Sequence, residues 1–168
     1  IEIRLIDGID QPSWQHQKRT DPVLIPSNSV LPKLWEDVIE IANESDAVVN
    51  FAYDWLPLWL TKTQAIKIFH LISMGAESIL MKETISEISQ LYPDRLAFHT
   101  NRQSKDYSLK TDPIIVGNGF DMENYIFNEN ENGPLGWAGR IAPEKGLEDA
   151  VKVANDLGEK LLVWGLIE

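Results

Sequence analysis

The residues of this chain best placed to do chemistry are the cations of Gly139-Arg140-Ile141-Ala142-Pro143-Glu144-Lys145-Gly146. The run Leu135-Gly136-Trp137-Ala138 before them reads as a buried strand. After them Leu147, Ala150, Val151, Ala154 and Leu157 recur at i, i+3, i+4 and i+7, as one face of a helix does. A strand, a cationic turn and a helix N-terminus in that order suit a diphosphate. The first turn of a helix offers unpaired N–H donors and about half a positive charge, an arginine can grip phosphate through two parallel hydrogen bonds, and a lysine adds a compact charge. Arg140, Lys145 and Gly139 are therefore the candidate diphosphate-binding residues. A triphosphatase loop would place Ser or Thr after Gly-Lys, whereas Lys145-Gly146-Leu147 has no hydroxyl, and Gly136, Gly139 and Gly146 do not follow the G-x-G-x-x-G order of a dinucleotide site. The plain alternative is that Arg140, Glu144 and Lys145 are solvated charge pairs at a helix start. Basic residues are uncommon in a first helical turn, which favours a ligand.

The elements that must position this turn alternate. Ile1–Ile6 is strand-like and Asp7–Asn28 a long irregular loop, of a length that is often functional. Leu31–Ile41 reads as a helix, Ala47–Phe51 as a buried strand, Lys67–Ile72 as another strand, and Glu77–Leu91 as a helix with Met81, Ile85 and Ile88 on one face. Leu96–His99 and Ile114–Val116 are further short strands. Asn124–Gly133, rich in Asn and Glu, connects to the 135–164 segment, where Gly158 ends the helix and Lys160–Trp164 returns as a strand. Strands alternating with helices predict an α/β fold with parallel sheets and ligands at the carboxyl ends of the strands.

Composition narrows the partners. The 168 residues are 43% hydrophobic, enough for a real core, and 15 basic against 26 acidic side chains give a net charge of −11, a poor match to nucleic acid or an anionic membrane surface. There is no cysteine, which rules out disulfides and thiol nucleophiles and fits a cytoplasmic protein. No apolar run approaches the ~20 residues of a membrane span. The chain begins at Ile1 without a methionine and ends just past a strand, as expected of a piece of a longer protein. Such a piece, with unpaired strand edges, could self-associate.

The segment Gly139–Ala150 resembles the donor-binding turn of retaining family-4 glycosyltransferases, which have the GT-B fold of two Rossmann-like domains. Ile115-Val116-Gly117-Asn118-Gly119-Phe120-Asp121 is similar to the asparagine-glycine-x-aspartate element these enzymes carry near their domain crossover, and Asp46–Asn50 with Asp54-Trp55 resembles their strand and loop ahead of a histidine matched by His70. The likeness covers roughly residues 45–168. More narrowly, Trp35, the Asn50–Pro57 loop and His70–Gly75 are similar to cyanobacterial UDP-glucose:tetrahydrobiopterin glucosyltransferases.

The resemblance implies a GT-B protein with parts of two Rossmann-like domains: residues 1–128 as the later part of the acceptor-side domain plus crossover, and 129–168 as the start of the donor-binding domain. It implies a metal-independent hexosyltransferase, with no cofactor, that moves glucose from UDP-glucose to a small acceptor such as a pterin. In that scheme His70 is the catalytic residue beside the transferred sugar, ending its strand with the ring directed into the interdomain cleft. Without the family match, the first reading of it is a satisfied histidine at a strand end. Tyr53, Asp54 and Trp55 are acceptor-side candidates, since flat rings dock on aromatic faces and a carboxylate orients a hydroxyl or ring nitrogen. Trp55 and Trp59, four apart, would otherwise share a helical face and pack into the core. His16 and His99 have no supporting constellation. The family's glycine-rich loop after its first strand and its Glu-x7-Glu motif do not occur in the chain, so this segment alone is expected to be inactive. The rival readings are another phosphate-binding α/β enzyme, such as a sugar-nucleotide oxidoreductase, and a non-catalytic interaction domain of the same fold.

Overall fold

Ile68, His70 and Ile72 alternate with Phe69 and Leu71, and this alternation organises the larger part of the molecule. In the computed structural model, which describes residues 3–10, 17–129 and 133–166, the first three are buried and the other two half-buried. The chain divides into two compact units, Ile1–Gly119 and Phe120–Glu168.

The first unit runs α1 (Val30–Ala42), β1 (Val48–Asn50), α2 (Trp55–Thr63), β2 (Ile68–Ile72), α3 (Ile79–Leu91), β3 (Leu96–Phe98), the single turn α4 (Asn101–Ser104) and β4 (Ile114–Ile115). The strands form one parallel sheet in the order β1-β2-β3-β4. Its register puts Asn50 opposite His70, His70 opposite Leu96, and Phe98 opposite Ile115. The Rossmann-like α/β architecture with parallel sheets is thus as the sequence predicts. Helix α1 opens at Ser29, whose Oγ accepts from the Leu31 N–H at 3.1 Å, and α3 turns Met81, Ile85 and Ile88 fully inward. Two clusters make the core. Leu31, Trp35, Leu60 and Ile68 form one, and Tyr53, Leu58, Ile72, Met81, Ile85, Ile88, Leu96, Phe98 and Tyr107 the other.

Helix α2 realises the alternative in which Trp55 and Trp59 share a helical face, although Pro57 sits inside it. Pro57 occupies the first turn, where the missing N–H has no intrahelical partner to lose. The start of the chain departs from expectation. Residues 3–6, the described part of the expected Ile1–Ile6 strand, join no sheet, and Ile3 and Leu5 are 80% and 90% exposed. Their alternation fits a strand, but a strand also needs a neighbour to take its backbone groups, and the nearest pairing is a single bridge between Ile9 and Ser29.

The second unit is the expected βαβ. Strands β5 (Leu135–Ala138) and β6 (Leu161–Trp164) pair in parallel with Leu135 opposite Leu161, and α5 (Leu147–Leu157) connects them. Gly146 at φ 66° and Gly158 at φ 68° bound the helix, both in the left-handed region that suits glycine. Beyond β6, a Cβ on Gly165 would run into the Gly139 carbonyl, so the turn after β5 and the end of β6 approach backbone to backbone. Among the described residues of this unit only Ala154 is buried.

Candidate functional site

The cationic turn lies where the sequence puts it, between the carboxyl end of β5 and the start of α5. Gly139 continues the sheet by donating to the Trp164 carbonyl at 3.0 Å, and Ile141 donates to Leu166 at 2.8 Å. The chain then folds through a 3-10 turn, Pro143–Lys145, which is tied back to β5 by the Trp137 indole N–H donating to the Lys145 carbonyl at 3.3 Å. Arg140 and Lys145 thus flank a turn held at both ends. Arg140 also pairs with Glu144 at 3.0 Å, both side chains being well exposed, and Lys145 makes no ion pair among the described residues.

The helix start itself differs from expectation. Lys145 belongs to the 3-10 turn, and the first turn of α5 carries Glu148 and Asp149, the usual acidic residues of a helix N-terminus. The argument that a basic first turn favours a ligand therefore does not apply. What remains is the placement of two cations beside a helix that opens on a left-handed glycine.

His70 is placed quite differently. It does not end its strand but sits at the middle of β2, 1% exposed, on the face packed by α2. Its surroundings fix its proton. The Ala52 N–H donates to Asn50 Oδ1 at 3.2 Å and Asn50 Nδ2 donates to the Ala52 carbonyl at 2.9 Å, which settles which end of the amide is nitrogen. Asn50 Nδ2 must then also donate to His70 Nδ1, 3.1 Å away, leaving the hydrogen of the neutral ring on Nε2. Nε2 donates to Thr61 Oγ1 at 2.7 Å, and that hydroxyl donates to the Pro57 carbonyl at 2.9 Å. Burial, with the Arg95 charge adding to it, lowers the His70 pKa from 6.5 to about 4, so the ring is neutral over the physiological range. A histidine presented to substrate at a strand end is thus not what this chain builds. It builds a closed chain of hydrogen bonds from β1 through β2 to α2.

Of the acceptor-side candidates, Tyr53 is a core residue, 8% exposed, its hydroxyl meeting that of Tyr107 at 2.9 Å. Trp55 packs at the margin of the core and stacks on Trp59 with ring centroids 6.0 Å apart. Asp54 stands at the N-cap position of α2 without capping it, and burial raises its pKa. His99 donates through Nδ1 to the Gly117 carbonyl at 3.0 Å, a structural contact, and His16 lies outside the described residues. Asp121 caps a 3-10 turn, accepting from the Glu123 N–H and from Asn124 Nδ2.

Sequence reasoning missed Thr61, which closes the His70 network, and Tyr107 and Gln103, which clamp the loop after β2. Gln103 Nε2 donates to the Ile72 and Met74 carbonyls, and the Tyr107 hydroxyl lies 2.8 Å from the Gly75 carbonyl oxygen. The partners are 9 to 33 residues apart in sequence, too far for a local motif to announce them. Among the described residues no group of three or more His, Asp or Glu could hold a metal ion, and no helix is long and apolar enough to cross a membrane. No family model matches this chain, and no curated protein does.

Proposed function

We propose that the chain is the nucleotide-sugar-binding part of a retaining hexosyltransferase of the GT-B class, with the 139–146 turn holding the diphosphate of UDP-glucose. The observation that carries this reading is the pair Arg140 and Lys145 at the carboxyl end of a parallel strand, on a turn pinned to β5 and β6, leading into α5. In glucosyl transfer the bond from the anomeric carbon to the diphosphate oxygen breaks as an acceptor hydroxyl bonds to that carbon and loses its proton. Negative charge accumulates on the departing diphosphate. Arg140, Lys145 and the N–H groups opening α5 would stabilise that charge, and one such preorganised donor is typically worth ~3 kcal/mol of barrier. His70 makes no bond in this scheme, because its neutral ring is committed at both nitrogens.

The Arg140–Glu144 pair favours a second reading, in which these charges only stabilise a solvated helix start. Calorimetric titration of the chain with UDP and UDP-glucose separates the two. Saturable binding that falls at least tenfold in both Arg140→Ala and Lys145→Ala, with circular dichroism unchanged, supports the proposal. Absence of binding, or wild-type affinity in the double variant, sinks it. Titration with NAD in parallel tests the oxidoreductase alternative, which requires nicotinamide-nucleotide affinity.

A further inference from the structure

The first unit also contains a polar recess beside the loop after β2. It has a volume of about 480 Å³ and is lined by Arg19, Gly75, Glu77, Lys82, Lys105 and Asp106. These residues come from the loop before α1, the loop after β2, helix α3 and the turn after α4, so the recess stands at the carboxyl edge of the sheet, where parallel α/β folds gather ligands. Its walls are fixed. Gln103 and Tyr107 hold the carbonyls of residues 72, 74 and 75, and the Ile79 N–H at the start of α3 donates to the Arg19 carbonyl at 2.9 Å. Two carboxylates converge at the floor: a Cβ on Gly75 would stand 3.3 Å from Asp106 Oδ2 and 3.5 Å from Glu77 Oε1. Among the described residues neither acid closes an ion pair with Arg19, Lys82 or Lys105.

Three cations and two carboxylates line one volume, with Arg19, Glu77, Lys105 and Asp106 exposed to it, and together they match a ligand that carries both an anionic group and hydrogen-bonding groups. We infer that this recess binds a phosphorylated polyol, the phosphate taken by Arg19, Lys82 and Lys105 and the hydroxyls by Glu77 and Asp106. A phosphate monoester offers three oxygens to three cations arriving from separate elements, where a carboxylate offers two. The carboxylates would repel a bare anion, so inorganic phosphate should bind poorly, and a hydroxylated ester makes use of both sets.

The test is an NMR titration of the whole chain with glucose 6-phosphate, inorganic phosphate and glucose. Glucose 6-phosphate should bind at least tenfold more tightly than inorganic phosphate, and glucose should not saturate. Arg19→Ala and Lys105→Ala should each weaken the ester at least fivefold. The Glu77→Gln/Asp106→Asn protein should lose the advantage of the ester over inorganic phosphate. Arg140→Ala/Lys145→Ala should bind the ester as wild type does, which keeps this site distinct from the diphosphate turn. No saturable binding, binding indifferent to Arg19 and Lys105, or loss of binding in the Arg140→Ala/Lys145→Ala protein would overturn the inference.

Discussion

His70 and the Arg140–Lys145 turn are the two places where the sequence concentrates chemically able residues, and the fold treats them in opposite ways. Around His70 every polar atom is committed: Asn50, Thr61 and the Ala52 and Pro57 backbone satisfy one another inside a sheet covered by α2. Around Arg140 and Lys145 the side chains stay at the surface of a unit in which Ala154 is the one buried residue among those described. A polar residue flanked by alternating apolar ones is carried into the core by its neighbours, and must then find partners there. A polar residue in a turn after a strand stays at the surface, within reach of solvent and solutes. Residue type alone separates the two poorly; the flanking pattern separates them well.

The largest effect that tests this contrast is on stability. His70→Ala should destabilise the first unit by about 3 kcal/mol, since it opens a cavity and strands Asn50 Nδ2 without one of its acceptors. Urea unfolding reads this directly. A change below about 0.5 kcal/mol would mean that the network contributes nothing and would reopen a role for His70 outside the core.

Acid should act on the same network. The His70 pKa is depressed in the folded state, so the unfolded chain binds the extra proton first as pH falls. The stabilising contribution is whole above pH 6.5 and is lost on the way down to about 4, on the order of 3 kcal/mol in total. Asp54 works in the other direction, because its raised pKa favours the folded state on acidification. The His70 part is therefore isolated by comparing unfolding of the wild type with His70→Gln from pH 7 to 4, and the steeper loss should belong to the wild type.

The contrast in burial should also appear as local opening. Amides of β2 lie beneath helices and beside two strands, whereas β5 and β6 form a two-stranded sheet whose Val163 and Trp164 are 42% and 58% exposed. Hydrogen exchange in β5 and β6 should run at least ~100-fold faster than in β2. Equal protection would show that the second unit is as firmly packed as the first.

How much of this was legible follows from the range of each signal. Helices α1, α3 and α5 and the βαβ of the second unit were readable because Met81, Ile85 and Ile88, or Ala150, Ala154 and Leu157, repeat at spacings that only a helix brings together. Helix α2 was left as an alternative by the Trp55 and Trp59 spacing, and of the strand expected over Ile1–Ile6 the described residues 3–6 alternate without a neighbour to pair with. The turn at 139–146 was visible as a local order of residues. The recess at Gly75 was not, since Arg19 and Lys105 lie far apart along the chain and meet only through α3 and the loop after β2.

The smallest effect sharpens the comparison most at the turn itself. Glu144 holds Arg140 in an exposed i, i+4 pair at 3.0 Å, and such a pair stabilises a helix or turn by only ~0.3–0.5 kcal/mol. If the turn binds diphosphate, the Glu144 carboxylate competes with the ligand for the same guanidinium and adds a negative charge beside it. Glu144→Gln should then leave unfolding within ~0.5 kcal/mol of wild type and tighten UDP binding about two- to threefold, more at low salt than at high, because the competing charge is screened as ionic strength rises. If Arg140 serves only the helix start, the same substitution costs the same small stability and leaves UDP titration flat. The two readings of the turn thus agree on the fold and part on a single titration.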